Sequence, residues 1–120
     1  PVLLLHLNEP SIIHAPDCDT RHVRFIQESI QDIQSSLSPY NARIYSIYGE
    51  VKEVFTTLLS HFNIHTVFSH RETGNQLSYQ RDIQIARFLK KENIIWKEFQ
   101  QGAILRGHEN QTDWHMAWKE

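Results

Sequence analysis

Between Val67 and Asp82 the sequence reads VFSHRETGNQLSYQRD. A short apolar run there ends in a histidine, a guanidinium and a carboxylate: His70, Arg71 and Glu72. These three offer a titratable ring, a fork of donors and an acceptor within one turn of chain. A polar loop would have the same composition, so the grouping matters only if a strand delivers it to a place where other chemistry converges. Two further stretches are candidates for that convergence. Asn8 and Glu9 follow the run VLLLHL, and Gly49 and Glu50 follow RIYSIY. No GxGxxG or GxxxxGK[ST] is present, so neither phosphate cradle is available. The eight histidines include no HExxH or HxH, and no CxxC accompanies them, so no metal site is expected. His61 and His65 are four apart, but they straddle a helix end and a strand start. Cys18 has no adjacent base, and no Ser/His/Asp set or carboxylate pair stands out. We therefore assign no catalytic residue.

The elements that would carry these residues follow from periodicity. Val2–Leu7 is a near-continuous apolar run, as for a strand buried on both faces. Val23, Ile26, Ile30, Ile33 and Leu37 mark one face of a helix over Thr20–Leu37. Asp17 or Asp19 can cap its start, and Pro39 prevents its continuation. Arg43–Tyr48 alternates like a strand, and Gly49 and Glu50 bend the chain into a second helix. Val51, Val54, Phe55, Leu58, Leu59 and Phe62 define that helix. Ile64–Ser69 is a third strand, Ser78–Glu92 a third helix, and Ile94–Glu98 a fourth strand entered through Asn93, a residue suited to the left-handed region. From Phe99 onward the chain reads as irregular, with Trp114 and Trp118 as anchors. Strands alternating with helices predict an α/β domain: a doubly wound, Rossmann-like parallel sheet with helices on both faces. In such sheets, ligands bind outside the carboxyl ends of the strands. Asn8, Glu9, Gly49, Glu50, His70, Arg71 and Glu72 all fall there.

Composition sets the outer limits. A chain of 120 residues points to one domain. With 40% hydrophobic and 22% charged residues it reads as an ordinary globular protein. The net charge of −2 disfavours direct nucleic-acid binding by bulk electrostatics. A single cysteine cannot form an internal disulfide and favours a reducing, cytoplasmic setting. No apolar run approaches the ~18 residues of a membrane span. The chain opens directly on a strand-like run without an initiator Met, from which we expect an excised fragment.

NEPSIIHAPDCDTRHVRFIQESIQDIQ, YGEVKEVFTTLL, VFSHRETGNQLSYQRD and NIIWKEFQQGAILRG occur in this order and cover nearly the whole chain. Their joint pattern resembles the amino-terminal α/β domain of the photolyase/cryptochrome family. Its parts are Glu9-Pro10, Pro16-Asp17, Arg21-His22 with Phe25, a strand running into Ser69-His70 and Glu72-Thr73-Gly74-Asn75, and Arg81-Asp82 three residues after Ser78. That resemblance implies an antenna chromophore in this domain, either a reduced folate or pterin or a deazaflavin or flavin. It also implies FAD in a carboxy-terminal helical domain, and light-dependent repair of pyrimidine dimers in DNA by a lyase. A cryptochrome-type blue-light receptor would share this domain. A stand-alone nucleotide-binding α/β domain, of the universal-stress type, would show a Gly/Ser-rich phosphate loop. Glu72 sits where the family often has an acidic pigment contact, and Arg81 with Asp82 would brace the loop. Asn8 replaces the aromatic usual before Glu-Pro. The resemblance further implies the strand order 3-2-1-4-5, with the central strand ahead of Pro1. Val2–Leu7 and His65–Ser69 would then pair directly, take a strand from the chain's own tail or a second copy between them, or flank a first strand lost ahead of Pro1, the arrangement we expect.

Overall fold

The computed structural model describes residues 1–72 and 74–100. Trp114 and Trp118 lie outside the described residues. The chain divides into two compact units, Pro1–Phe62 and a second beginning at Asn63.

The first unit runs β1 (Leu4–Asn8), α1 (Pro10–Ile13), α2 (Thr20–Leu37), a 3-10 turn (Ser38–Tyr40), β2 (Ile44–Tyr48) and α3 (Val51–His61). β1 and β2 pair in parallel, with Leu4 beside Ile44, His6 beside Ser46 and Asn8 beside Tyr48. The long crossover through α2 is what allows a parallel pairing. α2 begins where Asp19 accepts the Arg21 amide at 2.8 Å while His22 Nδ1 accepts the Asp19 amide at 3.2 Å. This reciprocal cap satisfies donors that the first helical turn leaves open. The Arg21 bonds hold the exposed Asp19 carboxyl below its usual range. At the other end Pro39 sits in the 3-10 turn, and Asn41 takes the left-handed conformation at φ 54°. Gln34 then ties helix to strand: its Nε2 donates to Ala42 O at 3.3 Å and its Oε1 accepts the Ile44 amide at 3.0 Å. From α3, Val54 and Phe55 are buried.

The second unit is β3 (Thr66–Arg71), α4 (Gln76–Lys91) and β4 (Ile95–Gln100). β3 and β4 are parallel, with Val67 beside Trp96 and His70 beside Phe99. Ile85, Leu89 and Ile94 form its buried core, and Leu89 is 1% exposed. The handover from α4 to β4 uses Asn93 at φ 57°, as its place in the sequence predicts. The Ile94 amide returns to Leu89 O at 2.9 Å and closes the helix end.

The mixed α/β class and the parallel pairings agree with the expectation from sequence. The described strands show two-stranded parallel pairing rather than the full doubly wound sheet. The described strands form two separate pairs, β1 with β2 and β3 with β4. Each ladder joins two strands that are consecutive in the chain. Element limits also move. β1 starts at Leu4, the residue that faces the first residue of β2. β4 continues through Phe99 and Gln100, which sequence polarity had placed in irregular chain. α1 was not expected; Pro10 starts it, in keeping with proline's tolerance at the first helical position.

Candidate functional site

In the first unit, the carboxyl end of the β1–β2 pair is knitted by backbone and carboxylate bonds. The Gly49 amide donates to Asn8 O at 3.2 Å, joining the loops that follow the two strands. Gly49 has φ 155°, and a Cβ there would lie 2.9 Å from Val54 Cγ2. Only glycine suits that backbone and that approach. Glu50 occupies the N-cap of α3 but makes no side-chain cap there. Its carboxylate instead accepts the Ser11 amide at 2.8 Å and the Ser11 hydroxyl at 2.9 Å. Glu50 thus supplies the acceptor for the start of α1, a helix too short to persist by itself. Glu9, 7% exposed, precedes Pro10, and its carbonyl accepts the Ile12 and Ile13 amides.

A polar row lies on one face of the same pair. Asn8 Nδ2 donates to Ser46 Oγ at 2.7 Å, and His6 Nδ1 lies 3.5 Å from that hydroxyl. Burial lowers the His6 pKa from 6.5. Above about pH 6.5 the ring is neutral in folded and unfolded chain alike, and it contributes no pH dependence. As pH falls below 6.5 the unfolded chain takes up the proton first, so stability declines until the folded-state pKa is passed. Thermal melts between pH 7.5 and 5 should show this decline, and His6→Gln should remove the part due to His6. A slope unchanged in that variant would exclude His6 as its source.

Next to the row is a cavity of about 70 Å³ lined by His6, Asn8, Glu9, Cys18 and apolar residues including Ile12 and Val23. Small-molecule pockets begin near ~300 Å³. The space is too small for a bicyclic or tricyclic ring.

In the second unit, Arg71 closes β3, and its Nε lies 3.9 Å from Glu98 Oε2 on β4. His70 is exposed beside Phe99. Glu72 is drawn away from both. Its carboxylate pairs with Arg81 Nη2, and Arg81 also bonds Asp82 Oδ1 through Nε at 3.1 Å and Nη2 at 2.9 Å. Glu72 is half exposed, whereas the Arg81 and Asp82 side chains are 23% and 14% exposed. A Cβ at Gly74 would collide with Ser78 Oγ and sit 3.1 Å from Glu72 Oε1. Asn75 caps α4 by accepting the Ser78 amide at 3.1 Å, and the Ser78 hydroxyl returns to Asn75 O at 2.9 Å. Ser78, 2% exposed, is therefore satisfied locally. The Trp96 indole donates to Ser69 Oγ at 2.9 Å, tying β4 to β3 beneath the loop.

The candidate residues thus fall into two groups by unit: Asn8, Glu9, Gly49 and Glu50 in the first, and His70, Arg71 and Glu72 in the second. Within the first, Gly49 bonds Asn8, and Glu50 grips the helix that Glu9 precedes. Within the second, Glu72 joins Arg81 and Asp82. Sequence reasoning missed Ser11, Ser46 and His6, and also the cap at Asn75, which the Asn-x-x-Ser spacing signals. Among the described residues no group of three His, Cys, Asp or Glu side chains could hold a metal. No described helix is long and apolar enough to cross a membrane.

Two parallel βαβ units with polar residues gathered at the carboxyl ends of their strands place the protein in the α/β class. The chain matches the family described as DNA photolyase over residues 1–114, and it belongs to that family. Membership supports a photolyase- or cryptochrome-like function. No curated protein matches the chain.

Proposed function

We propose that this chain is the amino-terminal antenna domain of a photolyase-like protein. It holds a light-harvesting pigment of the reduced folate, pterin, deazaflavin or flavin type. The pigment passes excitation to FAD in a carboxy-terminal helical domain, in support of light-driven repair of pyrimidine dimers in DNA. Family membership over residues 1–114 carries this reading. The donor set suits such a group. Each unit offers an oxygen acceptor, Asn8 in the first and Glu72 in the second, and the ring systems named here carry N–H donors, so either residue could make a directional bond to a pigment. When bound, the pigment supplies absorption in the near-ultraviolet or blue. The residues of this chain orient it and hold its edge. Arg81 and Asp82 brace the loop that presents Glu72, and Gly49 brings the β2–α3 loop against Asn8.

Protein purified in the dark, or incubated with methenyltetrahydrofolate, a deazaflavin or riboflavin, should acquire a bound near-ultraviolet or blue absorption band. Glu72→Ala should weaken that binding roughly three- to tenfold, the worth of one charge-assisted hydrogen bond at a half-exposed site, with the far-ultraviolet circular dichroism unchanged. Absence of any bound pigment across the set would refute the antenna reading. Undiminished binding in Glu72→Ala would remove Glu72 from the site.

A further inference from the structure

The polar row on β1 and β2 has a direction. His6 and Ser46 are register partners, and Asn8 lies one step along the same face. An amide nitrogen only donates, so Ser46 Oγ is the acceptor in the 2.7 Å bond from Asn8. The Ser46 hydroxyl proton must then point elsewhere. His6 Nδ1, at 3.5 Å and the long limit of a hydrogen bond, is the acceptor within reach. With the tautomer that leaves His6 Nδ1 unprotonated, donation runs from Asn8 to Ser46 to His6. Its effect falls on Asn8: with Nδ2 committed to Ser46, the amide is fixed, and Oδ1 accepts nothing from any described residue. His6 and Asn8 line the small cavity, and Ser46 beside them is exposed.

We propose that Ser46 and His6 are positioning residues that fix Asn8 as an acceptor, so that this polar row selects a planar ring bearing an amide- or imide-type N–H over the same ring alkylated at that nitrogen. The proposal rests on the antenna reading and specifies what that site discriminates. Losing the relay frees the amide to turn and present Nδ2, which cannot accept.

Riboflavin and 3-methylriboflavin differ at one imide nitrogen and serve as probes. Titration followed by flavin fluorescence should show riboflavin binding roughly five- to tenfold more tightly, as expected for one retained hydrogen bond. Ser46→Ala and His6→Phe should each bring the ratio near one by weakening riboflavin binding. Ser46→Thr, which keeps the hydroxyl, should restore the preference. A second readout needs no pigment. In a ¹⁵N–¹H spectrum, one Asn8 side-chain amide proton should be shifted and slow to exchange, and Ser46→Ala should abolish both features. Asn8 signals indifferent to Ser46→Ala would overturn the relay. A preference for riboflavin that survives Ser46→Ala, with the Asn8 signals changed, would overturn the selectivity. If neither flavin binds while the Asn8 signals respond as described, the selectivity is overturned, and the antenna reading falls only if methenyltetrahydrofolate and the deazaflavin also fail to bind.

Discussion

Alanine at position 49 is expected to destabilise the first unit by roughly 2–4 kcal/mol, from backbone strain at positive φ together with overpacking. At φ 155° the backbone lies where an L-residue meets its own carbonyl, and the added methyl would stand 2.9 Å from Val54 Cγ2. Val54 is 8% exposed and cannot swing into solvent. The loop would have to move, and the Gly49 amide would leave Asn8 O. Urea unfolding should show a lower midpoint with little change in slope. Val54→Ala combined with Gly49→Ala should recover part of the loss, because the shortened side chain removes the collision but not the strain. A neutral Gly49→Ala would show that the turn relaxes at no cost.

Replacing Arg81 with methionine should cost about 1–2 kcal/mol, less than the loss of a fully buried ion pair because Glu72 is half exposed to solvent. Methionine keeps much of the apolar stem and withdraws the guanidinium from Glu72 and Asp82 together. The loop from Glu72 to Asn75 then loses the bond that fixes its first carboxylate. Pigment affinity should fall by about as much as in Glu72→Ala. In the double variant the two losses should not add, because both remove one shared contact. Additive losses would mean that Glu72 meets the pigment independently of Arg81, and the bracing role would be discarded.

Much of the local structure was legible in the sequence, and the reason is visible in particular residues. α2 spans Thr20–Leu37 as its apolar spacing indicated, because Asp19 caps one end and Pro39 breaks the other. Strand ends were less legible. β3 runs on through His70 and Arg71, and β4 through Phe99 and Gln100, because a ladder ends where its partner's backbone ends, whatever the side chains. Val2 is 86% exposed despite its apolar setting, since no β2 residue lies opposite it. α1 was hidden because its stability comes from Glu50, 39 positions from Ser11. At the candidate site, sequence proximity grouped Glu72 with His70 and Arg71, yet its carboxylate found Arg81 one helical turn into α4. Which neighbour a side chain reaches is a matter of rotamer and backbone path, and spacing alone does not encode it. The row of His6, Asn8 and Ser46 was within reach of sequence reasoning, since His6 and Asn8 are two apart on a strand and share a face.

The division at Phe62–Asn63 carries a practical consequence. Both ladders close within their own half: Leu4 with Ile44 on one side, Thr66 with Ile95 on the other. A peptide bond cut at this joint interrupts neither pairing, and α3 has already ended at His61. A protease site inserted there offers a way to ask whether the halves stay associated after cleavage. It would also make the joint a natural point at which to split the chain for complementation, each piece bringing its own strands, crossover helix and loop residues.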